Sequence, residues 1–136
     1  RPGKTGLNVS IIGFGCNQIG SGNRGYKEFV AAKDAIFQAI DGGVNYFDTA
    51  DVYGDRRPEE WFGEILGSER KRTIISTKAG LTGDGGRNGH PDHLKCSLEN
   101  SLRKLKTDYV DIFYLHRKDP EVPLVIMCIS KTLTKK

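Results

Sequence analysis

Cysteine is scarce in this sequence, and what there is does not form a set. Cys16, Cys96 and Cys128 are an odd number at long, unrelated spacings, which argues against a disulfide framework and fits a reducing, cytoplasmic setting. Long hydrophobic runs are missing too. No apolar stretch approaches the roughly 20 residues of a membrane span, and no signal-type segment follows Arg1-Pro2-Gly3-Lys4. The chain therefore reads as soluble, with no membrane partner. Dense charge of one sign is also absent: 21 basic residues against 17 acidic ones leave a net charge of +4, scattered except for Lys131, Lys135 and Lys136 at the end. Nucleic acid is not implied by such a pattern, whereas an anionic small molecule would suit it. The chain opens on Arg1 rather than Met, which reads as a processed or trimmed start.

What is present is the material of one α/β unit, since 136 residues bury one core but not two. Gly3 to Ser10, with alternating Leu7 and Val9, reads as a short N-terminal hairpin or strand. Ile11 to Gly15 reads as a buried first strand whose glycines allow a close backbone approach. After a polar loop from Asn17 to Gly25, Phe29, Ile36, Phe37 and Ile40 recur at helical spacing until Gly42-Gly43 stops the pattern. Val44 to Asp48 is a second strand. Pro58-Glu59-Glu60 then suits a first helical turn, Trp61, Phe62, Ile65 and Leu66 supply an apolar face, and Gly67 ends it. Thr73 to Lys78 is a third strand, followed by a glycine-rich loop from Gly80 to Gly89 that reads as mobile. Pro91 opens a helix carrying Leu94, Leu98, Leu102 and Leu105 on one stripe, and Tyr109 to His116 is a fourth strand. Alternating apolar strands and helices predict a parallel sheet, either doubly wound or part of a (β/α)8 barrel.

Several constellations compete for the chemistry. Ile11-Ile12-Gly13-Phe14-Gly15 leads a strand into G-x-G, yet the third glycine position holds Gln18 and no helix begins there, so a small nucleotide-binding domain is the weaker alternative. His90, Asp92, His93 and Cys96 crowd one helix start, where polar caps are ordinary, so no metal is expected. Asp48, Tyr53, Lys78 and His116 differ in kind, because they come from the C-terminal ends of successive strands, where parallel barrels build active sites. A tyrosine is a poor acid near neutral pH unless a cation stabilises its phenolate. Lys78 is placed to be that cation and Asp48 to hold it, with His116 available as a donor to a substrate oxygen.

Thr5-Gly6-Leu7-Asn8-Val9-Ser10 before Gly13-Phe14-Gly15, then Gly43 through Gly54, Ser76-Thr77-Lys78, and Thr107-Asp108-Tyr109-Val110-Asp111 with Leu115-His116, together resemble the N-terminal half of an aldo-keto reductase. The resemblance implies an NADPH-dependent oxidoreductase that reduces aldehydes and ketones to alcohols on a (β/α)8 barrel without a metal. It carries the catalytic roles to Asp48, Tyr53, Lys78 and His116: Tyr53 as proton donor, Lys78 paired with Asp48 as its electrostatic support, His116 orienting the carbonyl. Asp48, Asn17 and Gln18 would lie near the nicotinamide ribose. A small carbonyl compound is the implied partner.

A barrel of this kind takes about 250 residues, so residues 1–124 read as a partial barrel of about four strands and residues 125–136 as a divergent tail. The expected architecture is the first half of a (β/α)8 barrel. Its open edges imply self-association, or the alternative role of a non-catalytic half-barrel interaction module. Val125 to Ile129 is apolar enough to cover part of the inner face.

Overall fold

The computed structural model describes residues 3–20, 28–54 and 57–127. Four short strands form one sheet: β1 (Gly13–Gly15), β2 (Tyr46–Asp48), β3 (Ile74–Ala79) and β4 (Ile112–Leu115). All neighbours run parallel in the order β1-β2-β3-β4. A doubly wound sheet reverses its strand order at a switch point, and this one never does. Successive connections advance in one direction, as in a barrel, which removes the nucleotide-binding alternative raised by the G-x-G sequence.

The connecting helices are α1 (Phe29–Asp41), α2 (Pro58–Leu66) and α3 (Pro91–Lys104). α1 buries Ala32, Ile36 and Ile40, a stripe of fours, and ends where Gly43 adopts φ +87°. α2 starts on Pro58 and buries Phe62, Ile65 and Leu66. Glu59, expected to serve the helix dipole, instead turns inward and is 1 % exposed, accepting a hydrogen bond from Thr77 Oγ1 at 2.7 Å. α3 is capped by His90, whose Nδ1 accepts from the Asp92 amide at 3.4 Å. Leu94, Leu98 and Leu105 are buried and Leu102 half-buried.

Phe47, Phe62, Ile36, Ile75 and Leu105 join one apolar core between sheet and helices. Phe47 packs on both Phe14 and Phe62, with ring centroids 5.6 and 5.0 Å apart. Strand alternation leaves Tyr46, Asp48, Ser76, Lys78 and Tyr114 on the opposite face, the side that lines the lumen of a closed barrel.

Five expectations need correction. Residues 3–10 form no strand; the Asn45 side chain holds them instead, accepting from the Ser10 amide at 2.7 Å and donating to the Asn8 carbonyl at 2.9 Å. The first strand is neither long nor buried, because it is an edge of the described sheet, and Ile11 and Ile12 before it are exposed. β4 begins at Ile112 rather than Tyr109, since the Tyr109 carbonyl is taken by Arg70, which also binds Asp111 at 3.0 Å. The glycine-rich loop is knit rather than loose: Leu81 bridges Arg87, and the Asp84 carboxylate accepts from Thr82 and from the Gly86 amide. The tail adds a short α4 (Leu124–Met127) whose Met127 packs on Ala79 and Leu94, on the helix side of the sheet. Leu124, Val125 and Ile126 are exposed, so the segment does not cover the inner face; Cys128 and Ile129 lie outside the described residues.

Candidate active site

The strand ends carry the site because the ladder continues up to three residues past β2 and one past β4. The Thr49 amide donates to the Ser76 carbonyl at 2.9 Å, Asp51 to Lys78 at 3.1 Å, and His116 to Ala79 at 2.8 Å. These bonds bring the segment after Asp48, the end of β3 and His116 to one rim. Gly54, at φ +44°, turns the chain back after Tyr53; a Cβ there would stand 2.6 Å from the Ile19 carbonyl oxygen.

Lys78 is the hub. Its Nζ lies 2.6 Å from Asp48 Oδ2, 2.8 Å from the Thr49 carbonyl and 3.1 Å from the Tyr53 hydroxyl. An ammonium has three donors, and all three are spoken for. The Tyr53 oxygen is therefore an acceptor toward Lys78, which leaves the phenolic hydrogen available to something else; no described residue is shown receiving it. Burial works against the charge on Lys78, but the bonds to Asp48 and Tyr53 outweigh it and raise the ammonium above the usual lysine value. The ammonium also lies 4.8 Å from the centre of the Tyr53 ring.

His116 packs edge-on against Tyr53, with centroids 5.6 Å apart at 87°. Burial, then the charges of Lys78 and Arg117, push its imidazole below the usual value, so it is neutral near pH 7. Its Nδ1 is buried without a hydrogen-bond partner among the described residues. Asn17 and Gln18 are exposed on the single turn (Cys16–Gln18) that follows β1, on the same rim as Asp48. Asp48, Tyr53, Lys78 and His116 are thus brought together, while Asn17 and Gln18 border the group without a described contact to it.

The sequence reading missed what lies beneath Asp48. Its second oxygen, Oδ1, is 2.6 Å from Ser76 Oγ, and Ser76 Oγ is 3.0 Å from the Tyr46 hydroxyl. The signal was there: Tyr46 and Ser76 stand two residues before Asp48 and Lys78, hence on the same face of their strands. A separate hollow of about 1080 Å³, lined by Arg70, Arg103, Lys106 and Tyr109 among others, lies at the opposite ends of the strands, where barrel residues serve stability. Among the described residues no group of three or more His, Cys, Asp or Glu is arranged to hold a metal.

The aldo/keto reductase family model matches residues 11–136. The chain belongs to the aldo/keto reductase family. Its relatives include the aldo-keto reductase str7 of Strobilurus tenacellus, 38 % identical over 125 residues, covering 87 % of this chain and 36 % of that protein. The oxidoreductase YqkF of Bacillus subtilis is 36 % identical over 119 residues, covering 84 % of this chain and 37 % of YqkF. Among solved structures, the holo form of the aldo-keto reductase AKR11C1 from Bacillus halodurans superposes with a TM-score of 0.77 at 30 % identity, over 89 % of this chain and 40 % of that one. The chain thus spans little more than a third of the length of these curated relatives, and its four-stranded parallel sheet corresponds to the first half of an aldo-keto reductase barrel.

Proposed function

We propose that Asp48, Tyr53, Lys78 and His116 form the catalytic centre of an NADPH-dependent reduction of a small aldehyde or ketone to an alcohol. The observation that carries this reading is the three-way commitment of Lys78, which leaves the Tyr53 hydrogen directed at no described residue. A phenol with its oxygen on an ammonium and its proton unclaimed is a general acid.

The rim fits the nicotinamide end of the cofactor in the chemistry of its side chains: Asp48, Asn17 and Gln18 offer polar groups to a ribose and a carboxamide, and two of the three are exposed. NADPH, when bound, supplies the hydride to the carbonyl carbon. Tyr53 gives its proton to the carbonyl oxygen, and the negative charge that appears on the phenolate falls against the Lys78 ammonium already hydrogen-bonded to it. Asp48 and the Thr49 carbonyl keep that ammonium charged and in place. His116, neutral, donates an N–H to the same carbonyl oxygen and fixes its orientation. The setting we assign is cytoplasmic, in keeping with Cys16 and Cys96 as free thiols; among the described residues no helix is long and apolar enough to cross a membrane.

A second reading has its own observation. β1 and β4 have no outer partners among the described residues, and Ile11, Ile12 and Tyr114 are exposed beside them. We assign these edges to association, with another copy of the chain or with a complementary half-barrel. Titration with NADPH, followed by quenching of Trp61 and by carbonyl-dependent loss of nicotinamide absorbance, tests the enzyme reading. Saturable binding with turnover, weaker with NADH, is expected. No binding at millimolar cofactor would overturn it and leave the interaction role.

A further inference from the structure

We infer that Ser76, itself held by Tyr46, is a positioning residue that locks the Asp48 carboxylate in the one orientation that serves Lys78. Ser76 has a single hydroxyl hydrogen, and three oxygens lie within its reach: Asp48 Oδ1 at 2.6 Å, the Tyr46 hydroxyl at 3.0 Å and the Phe47 carbonyl at 3.5 Å. The carboxylate is the stronger acceptor and the shorter contact. Ser76 therefore donates to Asp48, and Tyr46 donates to Ser76. The serine is fully buried, while Tyr46 and Asp48 are half-buried. With Oδ1 tied to Ser76, the remaining oxygen, Oδ2, has Lys78 Nζ as its partner at 2.6 Å.

The arrangement extends outward on the same sheet face. Burial and a hydrogen bond shared with Tyr46 raise the Tyr114 phenol above its ordinary value. Tyr114 is in turn the register partner of Lys78. Tyr46 passes its hydrogen to Ser76, and Ser76 passes its own to Asp48. β1 makes room for this row: a Cβ on Gly13 would stand 2.6 Å from the Tyr46 ring. Three strands thus contribute to holding a carboxylate that touches neither substrate nor the transferred proton.

The role rests on the carbonyl-reduction reading of the four-residue centre, but its test does not need turnover. The measurement is the titration and hydrogen exchange of the Lys78 ammonium by 15N NMR in the whole chain, in Ser76→Ala and in Tyr46→Phe. Ser76→Ala frees Asp48 to rotate, so the Lys78 midpoint falls toward the ordinary lysine value and its ammonium hydrogens exchange faster. Tyr46→Phe leaves the serine in place but loosens it, so the same change appears in smaller size. An unchanged or raised Lys78 midpoint in either variant overturns the inference. Should Ser76→Ala fail to fold, Tyr46→Phe, which removes one oxygen and no carbon, decides alone. A loss of carbonyl reduction with an unperturbed Lys78 signal would count against the inference, whereas a shifted signal in a chain without turnover would count against the enzyme reading alone.

Discussion

At the residue scale, the grouping of the candidate residues was legible and its support was not. Asp48, Tyr53, Lys78 and His116 stood out because strand ends rarely gather four complementary groups. Glu59 did not, since an acid after a helix-opening proline has an ordinary reason to be there. The structure buries it against Thr77, with Lys104 4.0 Å away. Burial raises its carboxyl above the usual value, against the pull of Thr77, Ser101 and Lys104. A folded-state value above the unfolded one means that the native state holds the proton longer, so stability from this group falls as pH rises from 4.5 through the raised value. Glu59→Gln, which keeps a side-chain oxygen for Thr77, should flatten that slope in thermal melts across this range. Glu59→Ala should cost about 1–3 kcal/mol by leaving the Thr77 hydroxyl buried and unpaired; a neutral outcome would show that Thr77 finds another partner.

At the element scale, helices were read more accurately than strands. The leucine stripe of α3 and the apolar face of α2 are set by local spacing, and both helices lie where their periodicity placed them. Strand length depends on partners, which spacing does not reveal. Arg70 takes the Tyr109 carbonyl and so shortens β4, while β1 and its inner neighbour β2 pair over three residues only. Helix-to-helix contact was equally hidden. Gly63 reads as an ordinary glycine in a helix, yet a Cβ there would stand 2.4 Å from the Lys104 carbonyl oxygen and 2.6 Å from the Leu105 Cα. It is the point where α2 meets the end of α3. Backbone atoms cannot swing aside as a side chain can, so Gly63→Ala should destabilise by about 1–3 kcal/mol despite its better helix propensity. A denaturant melt showing a gain in stability would mean that the two helices can separate without loss.

At the scale of the whole molecule, a parallel sheet with intervening helices was predictable from alternation, and the order β1-β2-β3-β4 settles which parallel fold it is. Composition could not show how the inner face is covered, because that depends on groups far apart in sequence or on another chain. The apolar tail residues, expected on the inner face, lie on the outer one through Met127. With β1 and β4 as edges and Ile11 and Ile12 exposed, the 136-residue chain should associate in sedimentation velocity as concentration rises. A compact monomer at all concentrations would contradict association through these edges.

The proposed carbonyl reduction turns on one hydroxyl. Carbonyl-dependent NADPH oxidation should be compared between the chain and Tyr53→Phe, with cofactor binding measured in parallel. A fall in rate of about 10²–10⁴-fold is expected from loss of the general acid, with binding retained. Equal rates in the two proteins would contradict Tyr53 as the proton donor and, with it, the supporting roles of Lys78 and Asp48.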